Sequence, residues 1–315
     1  MVGCPRSGTT LVQCILSASS EAFSLPETHF FSQVLQAIHC TPETHIGSSH
    51  IRMARQAFET EAELVLPAGF WSELEGRQGL TALDIFLAVV ERYRPTGSTG
   101  LRMIEKTPRH VLDMDTIARA FPDAVFVEVV RDPVDVASSL LGVPFESSRS
   151  MLALAQRWTE SIQAARAFSR SQPGRLGTVV YERLVREPER ALPEVCTFVG
   201  LAYEPAMLAE FGREAGRNVG RGEAWKRDVN SGVLMNRQGV WRTRMAPGQA
   251  WLVAQATRGQ RREFGYVDRP VASPSSIVAA VVKEAGVRFR EARSSTGVVG
   301  AARHAGSVLK ALSAT

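Results

Sequence analysis

Apolar residues along this chain form two kinds of pattern, short continuous runs and stripes with helical spacing. The run at 124–130 is typical of a strand buried on both faces, residues 101–104 are predicted to be a short strand, and residues 178–184 a third strand and its exit. Stripes in which every third or fourth residue is apolar predict helices, and they occupy residues 11–16, 133–140, 150–169, 188–199 and 251–266. Strands that alternate with helices in this way indicate an α/β fold built on a parallel sheet.

Four stretches interrupt this alternation. Residues 32–95 are predicted to be a mostly helical insert that is broken by its Pro and Gly residues. Residues 19–24 are predicted to be a polar turn, and residues 270–274 a linker. Residues 211–245 are rich in Gly and Arg and are predicted to be long loops. None of these stretches carries a residue pattern that by itself indicates a reaction.

The first residues of the chain form a candidate anion-binding loop. Gly3 and Gly8 flank four residues, and Thr9 and Thr10 lead directly into the first helical stripe. Glycines permit close backbone approach, so the amide groups before a helix are free to surround a phosphate. A Walker A loop has Lys where this chain has Thr9, and the cation here is Arg6, inside the loop. Only two residues precede the loop, so the strand expected there is either very short or begins upstream of residue 1.

Composition and charge narrow the class of protein. The 315 residues are 44% hydrophobic and 22% charged, which is ordinary for a globular protein of one large or two small domains. The chain has no apolar run of about 18 residues, and the anion loop begins too early to follow a signal peptide. These features predict a cytoplasmic protein, either free or peripherally attached to a membrane. The four cysteines match no metal or redox motif, so we predict reduced thiols and no metal site.

The strand predicted over 124–130 leads into a second candidate anion site. Arg131 follows the strand directly, and Ser139 comes eight residues later. Between them, Asp132 and Pro133 are residue types that favour the start of a helix. A guanidinium and a hydroxyl together suit a phosphate monoester. A Walker B strand would end in a metal-binding Asp, but here Arg131 stands between the strand and Asp132. Like the missing loop lysine, this difference argues against metal-nucleotide chemistry.

The two candidate sites resemble those of one enzyme family. The segment Pro5-Arg6-Ser7-Gly8-Thr9-Thr10-Leu11 resembles the 5′-phosphosulfate loop of sulfotransferases that use 3′-phosphoadenosine 5′-phosphosulfate (PAPS). The strand followed by Arg131 and Ser139 resembles the 3′-phosphate site of the same family. The resemblance implies a P-loop NTPase-like fold of three layers, in which helices flank a central parallel sheet. It also implies that the donor is bound by Pro5, Arg6, Ser7, Gly8, Thr9, Thr10, Arg131 and Ser139.

Two further stretches resemble donor-binding elements of this family. Tyr181 ends the third apolar run and, by the resemblance, lies near the adenine or the 3′-phosphate; a structural Tyr at a sheet edge is the alternative. Arg237, Gln238 and Gly239 resemble a late loop that closes over the 3′-phosphate. In the family the basic residue usually stands next to the Gly, whereas here Arg237 stands two positions before it. Arg221, Lys226 and Arg227, which come earlier in the same basic stretch, fit surface charge equally well.

The resemblance also implies catalytic roles. Glu27, in a Pro-Glu context followed by aromatic residues, matches the general base that removes the proton of the acceptor hydroxyl. Lys106 matches the family's second basic element, which stabilises charge on the leaving phosphate, and Arg6 acts beside it. His29 is a weaker candidate for substrate contact. The alternatives are an exposed Glu at a helix start and a surface Lys at a strand end.

The resemblance predicts a domain over residues 1–268, in which the 32–95 insert shapes the acceptor pocket. The expected reaction moves a sulfuryl group from PAPS to a hydroxyl of a glycan, lipid or secondary metabolite, without metal, and leaves adenosine 3′,5′-bisphosphate (PAP). Two other classes stay open, a Mg²⁺-dependent nucleotide kinase or ATPase and a non-catalytic scaffold. The sequence does not identify the acceptor or the oligomeric state.

Residues 269–315 are predicted to be a basic, amphipathic tail. The tail carries most of the chain's net charge of +5, so nucleic acid is not a predicted partner of the nearly neutral catalytic domain. A basic amphipathic segment fits an anionic membrane surface. Packing on the domain, dimerisation and disorder are the alternatives.

Overall fold

The computed structural model describes residues 1–61, 64–218, 237–268 and 270–296. The chain divides into two compact units. The first unit comprises Met1–Val130 and Gln163–Asn236, and the second comprises Arg131–Ile162 and Arg237–Thr315. Three basic residues of the predicted loops (Arg221, Lys226 and Arg227) and the tail beyond residue 296 lie outside the described residues. The predicted domain boundary at residue 268 stays a prediction.

The described elements alternate as an α/β chain. The strands are β1 Ala22–Ser24, β2 Arg102–Ile104, β3 Phe126–Val130 and β4 Leu176–Val180. The α-helices are α1 Thr9–Ser17, α2 Leu35–Ala37, α3 Ser48–Glu61, α4 Phe70–Glu75, α5 Ala82–Tyr93, α6 Met114–Ala120, α7 Pro133–Leu140, α8 Met151–Ser171, α9 Tyr181–Arg186, α10 Pro188–Val199, α11 Ala206–Asn218, α12 Trp241–Arg244, α13 Pro247–Ala256, α14 Arg258–Arg261 and α15 Pro274–Thr296. A π-helical turn spans Phe30–Val34, and 3₁₀ turns span Pro108–Leu112 and Arg262–Phe264.

All paired strands in the described residues are parallel. Strand β1 pairs with β2, with Ala22 opposite Arg102, and β3 pairs with β4, with Phe126 opposite Leu176. Strand β3 is buried along its whole length, as its mostly apolar sequence favours, and it includes the buried Glu128. The predicted α/β class with parallel strands is confirmed.

The anion loop follows a single bridging residue. Val2 forms a parallel bridge to β3, in which its N–H donates to the Val127 carbonyl at 2.9 Å and its carbonyl accepts from the Val129 N–H at 3.0 Å. Gly3 comes next with φ 141°, and a Cβ atom there would lie 2.6 Å from the Val129 carbonyl oxygen. Only glycine therefore fits at residue 3, where the chain turns away from its bridge to β3.

Helix α1 is buried on all sides in the core of the first unit. Its apolar residues pack with β3, β4 and α11, and burying each large side chain contributes about 1.5–3 kcal/mol. The insert has a separate core of aromatic side chains, in which Phe30 contacts Phe31, Phe58 and Phe86. The predicted helical insert thus forms its own hydrophobic cluster within the first unit.

Three predicted boundaries are wrong. The stretch 19–24 contains strand β1, a three-residue strand whose backbone is held by β2 rather than by a local pattern. The run 178–184 ends as a strand at Val180, and Tyr181 begins α9. Residues 211–218, predicted to be a loop, belong to α11, because the buried apolar residues Met207, Phe211 and Ala215 recur at helical spacing.

The second unit is built around α7 and α13. Asp132 caps α7, as predicted, by accepting a hydrogen bond from the Val134 N–H at 2.7 Å, and Pro133 takes the first helical position. Helix α13 packs on α7 and on α15, the described part of the basic tail. The predicted role of the tail stays a prediction. No helix in the described ranges is long and apolar enough to cross a membrane.

Candidate active site

The anion loop, residues 3–8, presents backbone donors before α1. Gly8 ends the loop with φ 98°, and Arg6 also has a positive φ of 74°, which is uncommon for a residue with a side chain. Because α1 begins at Thr9, the first amides of the helix lack carbonyl partners within it. These donors and the positive end of the helix dipole suit an anion.

The hydroxyl of Ser7 supports the same interpretation. The Ser7 residue is fully buried, and its Oγ atom has no hydrogen-bond partner among the described residues. A buried hydroxyl without a partner costs about 1–3 kcal/mol. A phosphate or sulfate oxygen next to the loop would accept this hydrogen bond, so the loop residues fit an anionic group.

Tyr181 forms the wall behind the loop. Its buried ring packs so closely on Gly8 that a Cβ atom at residue 8 would lie 2.6 Å from the ring carbon Cδ2. The structure therefore gives Tyr181 a packing role, as the structural alternative expected, although the sequence did not indicate Gly8 as its partner because the two residues are far apart in the chain. Its predicted contact with the donor stays a prediction.

Gly8→Ala is expected to lower the free energy of unfolding by roughly 1–3 kcal/mol, because the methyl group meets the Tyr181 ring and residue 8 has a positive φ. Urea unfolding measures this loss, and calorimetry with PAP should show weaker binding. Gly47→Ala is the matched control, since nothing lies within 4 Å of a Cβ atom at that exposed position. Equal stability of the two variants would contradict the tight packing of the loop.

Glu27, Lys106 and His29 form one cluster in the first unit. The Lys106 ammonium donates to Glu27 Oε1, and Lys106 is fully buried although its side chain is charged. His29 Nε2 lies 3.5 Å from Glu27 Oε2. Burial lowers the pKa of His29 more than the neighbouring Glu27 raises it, so the imidazole is neutral at pH 7. Glu27 and Lys106 are thus brought together although they are 79 positions apart in the sequence. Neither an exposed Glu at a helix start nor a surface Lys at a strand end anticipates this contact.

Gln13 is a site residue that sequence reasoning missed. It lies fully buried on α1, and its Nε2 atom donates to Ser24 Oγ at 3.0 Å and to the Leu25 carbonyl at 2.8 Å. These bonds tie the start of the Glu27 segment to the helix that follows the anion loop. The available signal was a polar amide inside an otherwise apolar helical stripe.

The predicted 3′-phosphate residues lie in the second unit. Arg131 is buried, and its guanidinium donates to the Arg237 carbonyl at 2.6 Å. Asp135 accepts from the Gly239 N–H at 2.6 Å and from the Trp241 N–H at 3.0 Å. Burial raises the pKa of Asp135, although Arg131 and the two amides oppose that shift. Asp135 thus holds the late loop against α7, a role that the sequence did not indicate.

The other predicted residues of this unit differ in exposure. Ser139 is half-buried in the last turn of α7, Arg237 and Gly239 are half-buried, and Gln238 is exposed. Trp158 of α8 donates from Nε1 to the Arg131 carbonyl at 3.0 Å, which fixes the backbone before α7. The donor contacts of these residues stay predictions. Among the described residues, no group of three or more His, Cys, Asp or Glu is arranged to hold a metal ion.

Parallel strands and a glycine-flanked loop before the first helix place this chain among α/β proteins with a candidate anion site at a helix N-terminus. A sequence model of the Sulfotransferase family matches residues 1–205. The chain therefore belongs to the sulfotransferase family.

Individual relatives agree with this assignment. The chain is 29% identical over 236 residues to nodulation protein NoeE of Sinorhizobium fredii and 24% identical over 214 residues to a protein-tyrosine sulfotransferase of Drosophila melanogaster. These matches cover 68% and 65% of this chain, but only 52% and 38% of the two relatives. The sulfotransferase domain of the curacin biosynthetic pathway shares the fold with a TM-score of 0.55 at 20% identity, over 85% of this chain and 97% of that domain.

Proposed function

We propose that this protein transfers the sulfuryl group of PAPS to an acceptor hydroxyl and releases PAP and a sulfate ester. The observation that carries the proposal is the contact between Glu27 and the buried Lys106, in the same unit as the anion loop. When a hydroxyl attacks and an anionic group leaves, a base is needed to take the proton and a cation to stabilise the leaving group. Glu27 and Lys106 supply this combination side by side. The family membership supports the choice of PAPS as donor.

The loop residues would hold the phosphosulfate end of the donor. The Ser7 hydroxyl and the amides of Thr9 and Thr10 supply hydrogen bonds, and Arg6 supplies a positive charge. Pro5 and Gly8 shape the loop backbone. Arg131 and Ser139 would hold the 3′-phosphate, and the late loop of Arg237, Gln238 and Gly239 would contact the same group.

Glu27 would take the proton of the acceptor hydroxyl as its oxygen attacks sulfur. The new bond is between that oxygen and sulfur, and the bond that breaks is between sulfur and the bridging oxygen of the 5′-phosphate. The electron pair of the broken bond stays on PAP, where Lys106 and Arg6 stabilise the added charge. His29, neutral beside Glu27, would contact the acceptor.

The acceptor is proposed to be a hydroxyl of a small molecule, glycan or lipid. ³⁵S-labelled PAPS incubated with pools of each class should give a labelled product and an equal amount of PAP without added metal. Absence of any labelled product from every pool, together with absence of PAP binding, would overturn the proposal.

We further propose that the protein works in the cytoplasm and contacts anionic membranes through α15. Its acidic residues Glu284 and Glu291 are engaged within the second unit; Glu284 accepts from the Met151 N–H at 2.8 Å, and Glu291 accepts from the Arg149 N–H at 2.8 Å. The exposed side chains of α15 between residues 278 and 293 are all apolar or basic. They are Val278, Ala279, Val282, Lys283, Phe289, Arg290 and Arg293. Such a face suits anionic headgroups, at about 1 kcal/mol for each basic residue near the surface.

The double variant V282D/F289D is expected to lose most of its sedimentation with phosphatidylserine vesicles, because two exposed apolar contacts become charged. Point changes are preferred to removal of residues 275–315, which would also remove the Glu284 contacts at the start of α8. Val65→Asp is the control, since Val65 is an exposed valine of the first unit. Equal sedimentation of the double variant and the native protein would show that α15 does not contact the membrane.

A further inference from the structure

A buried hydrogen-bond network surrounds the Glu27–Lys106 pair without including either residue. Glu105 Oε1 accepts from the Thr107 hydroxyl at 2.7 Å and from the Thr28 hydroxyl at 2.8 Å. Glu105 Oε2 lies 3.1 Å from His110 Nδ1. Thr28, Thr107 and His110 have at most 1% of their surface exposed. We call these four residues the Glu105 network.

The network also binds the backbone of the segment that carries Glu27. The Thr107 hydroxyl oxygen accepts from the N–H groups of Thr28 at 3.2 Å and His29 at 3.3 Å. His110 Nε2 lies 3.2 Å from the Phe31 N–H and accepts from it. The two ring nitrogens of His110 thus link the Glu105 carboxylate to the backbone of the segment that carries Glu27.

Glu105 is the fixed acceptor at the centre of the network. Burial alone would raise the pKa of Glu105, but His110 and the Thr107 hydroxyl lower that pKa to about 2. The carboxylate is therefore ionised throughout the working pH range. An ionised acceptor makes stronger hydrogen bonds than a neutral one, so the network is rigid.

The segment held by the network has an unfavourable backbone. His29 has φ 51°, and the π-helical turn Phe30–Val34 follows directly. Left-handed φ values are unfavourable at residues other than Gly and persist where the surroundings determine them. Thr107 and His110 accept hydrogen bonds from the N–H groups of Thr28, His29 and Phe31, at the start of this stretch.

The network residues are also direct neighbours of Glu27 and Lys106 in the sequence. Glu27 directly precedes Thr28, and Lys106 lies between Glu105 and Thr107. The network thus joins the segment that carries Glu27 to the segment that carries Lys106. It does so through Thr28, the neighbour of Glu27, and through Glu105 and Thr107, the neighbours of Lys106. We propose that Thr107 and His110, anchored on Glu105, are positioning residues that set Glu27 against Lys106; this inference rests on the proposed sulfuryl transfer.

Thr107→Val removes the hydroxyl but keeps the shape of the side chain, and Thr107→Ser keeps the hydroxyl. We expect kcat to fall about 10- to 100-fold in the Val variant, since displacements near 1 Å at reacting groups have effects of this size. The affinity for PAP and the KM for PAPS should stay within about threefold of the native values. The Ser variant should recover most of the loss in kcat. Equal losses in the Val and Ser variants, or native kcat in the Val variant, would overturn the inference.

A second readout separates this inference from the proposed function. Hydrogen exchange of the amides of residues 28, 29 and 31 should be faster in Thr107→Val than in Thr107→Ser, whether or not transfer is observed. If the native protein transfers no sulfuryl group, the proposed function fails, and unchanged exchange would overturn the network separately. Should Thr107→Val not fold, Thr28→Val removes one hydrogen bond to Glu105 and keeps the Thr107 oxygen, so a kcat loss of about 3- to 10-fold is expected. A native kcat for Thr28→Val would count against the network.

Discussion

Glu27→Gln is expected to lower kcat for sulfuryl transfer by about 10²- to 10⁴-fold, the range that general-base catalysis contributes. Glutamine keeps the size of the side chain and one acceptor oxygen for Lys106, but it cannot take the proton of the hydroxyl. The affinity for PAP should remain, because the proposed donor contacts come from the loop amides, the Ser7 hydroxyl and Arg131. Single-turnover transfer of labelled PAPS and calorimetry with PAP measure the two quantities.

Two comparisons make this result specific. Glu43→Gln changes an exposed glutamate in the predicted 32–95 insert and should leave both quantities unchanged. Thermal unfolding of Glu27→Gln shows whether the loss of the carboxylate beside a buried ammonium destabilises the fold. Near-normal turnover in a folded Glu27→Gln protein would remove Glu27 from the mechanism.

Lys106→Met is expected to lower kcat/KM by about 10²- to 10³-fold, the usual cost of losing one preorganised donor to a developing negative charge. Methionine is similar in length and apolar, so the fully buried position stays filled. Lys283→Met is the matched control, because Lys283 is an exposed lysine in the second unit. Transfer rates over a range of PAPS concentrations, measured for both variants, give kcat/KM for the comparison.

The two variants should not be additive. Because Glu27 and Lys106 are in direct contact, the double variant E27Q/K106M is expected to lose much less than the product of the single losses. Full additivity would mean that the two residues act at independent places. That outcome would contradict the claim that Glu27 and Lys106 act together in catalysis, even if each single variant were impaired.

The sequence predicted those parts of the molecule that depend on local patterns. The apolar run at 124–130 and the Asp132-Pro133 start of α7 are recognised within one stretch, and the structure has both where they were expected. The glycine-flanked loop before α1 is also a local signal. The class of fold and the candidate residues of the two anion sites follow from such stretches.

Long-range contacts could not be predicted in this way. Strand β1 is three residues long and exists through its pairing with β2, about 80 residues later, so a polar turn was the natural local interpretation. The packing of Tyr181 on Gly8 and the hold of Asp135 on the late loop likewise join distant residues. The Glu105 network is invisible in the sequence for the same reason.

The measurement that tests the central claim most directly is calorimetry of PAP and ADP with the native protein, each with and without Mg²⁺. The account predicts that PAP binds clearly tighter than ADP and that Mg²⁺ does not change this order, since the 3′-phosphate adds charged hydrogen bonds. Tighter binding of ADP with Mg²⁺ would contradict the account in favour of a kinase or ATPase, and binding of neither nucleotide would contradict it in favour of a non-catalytic scaffold.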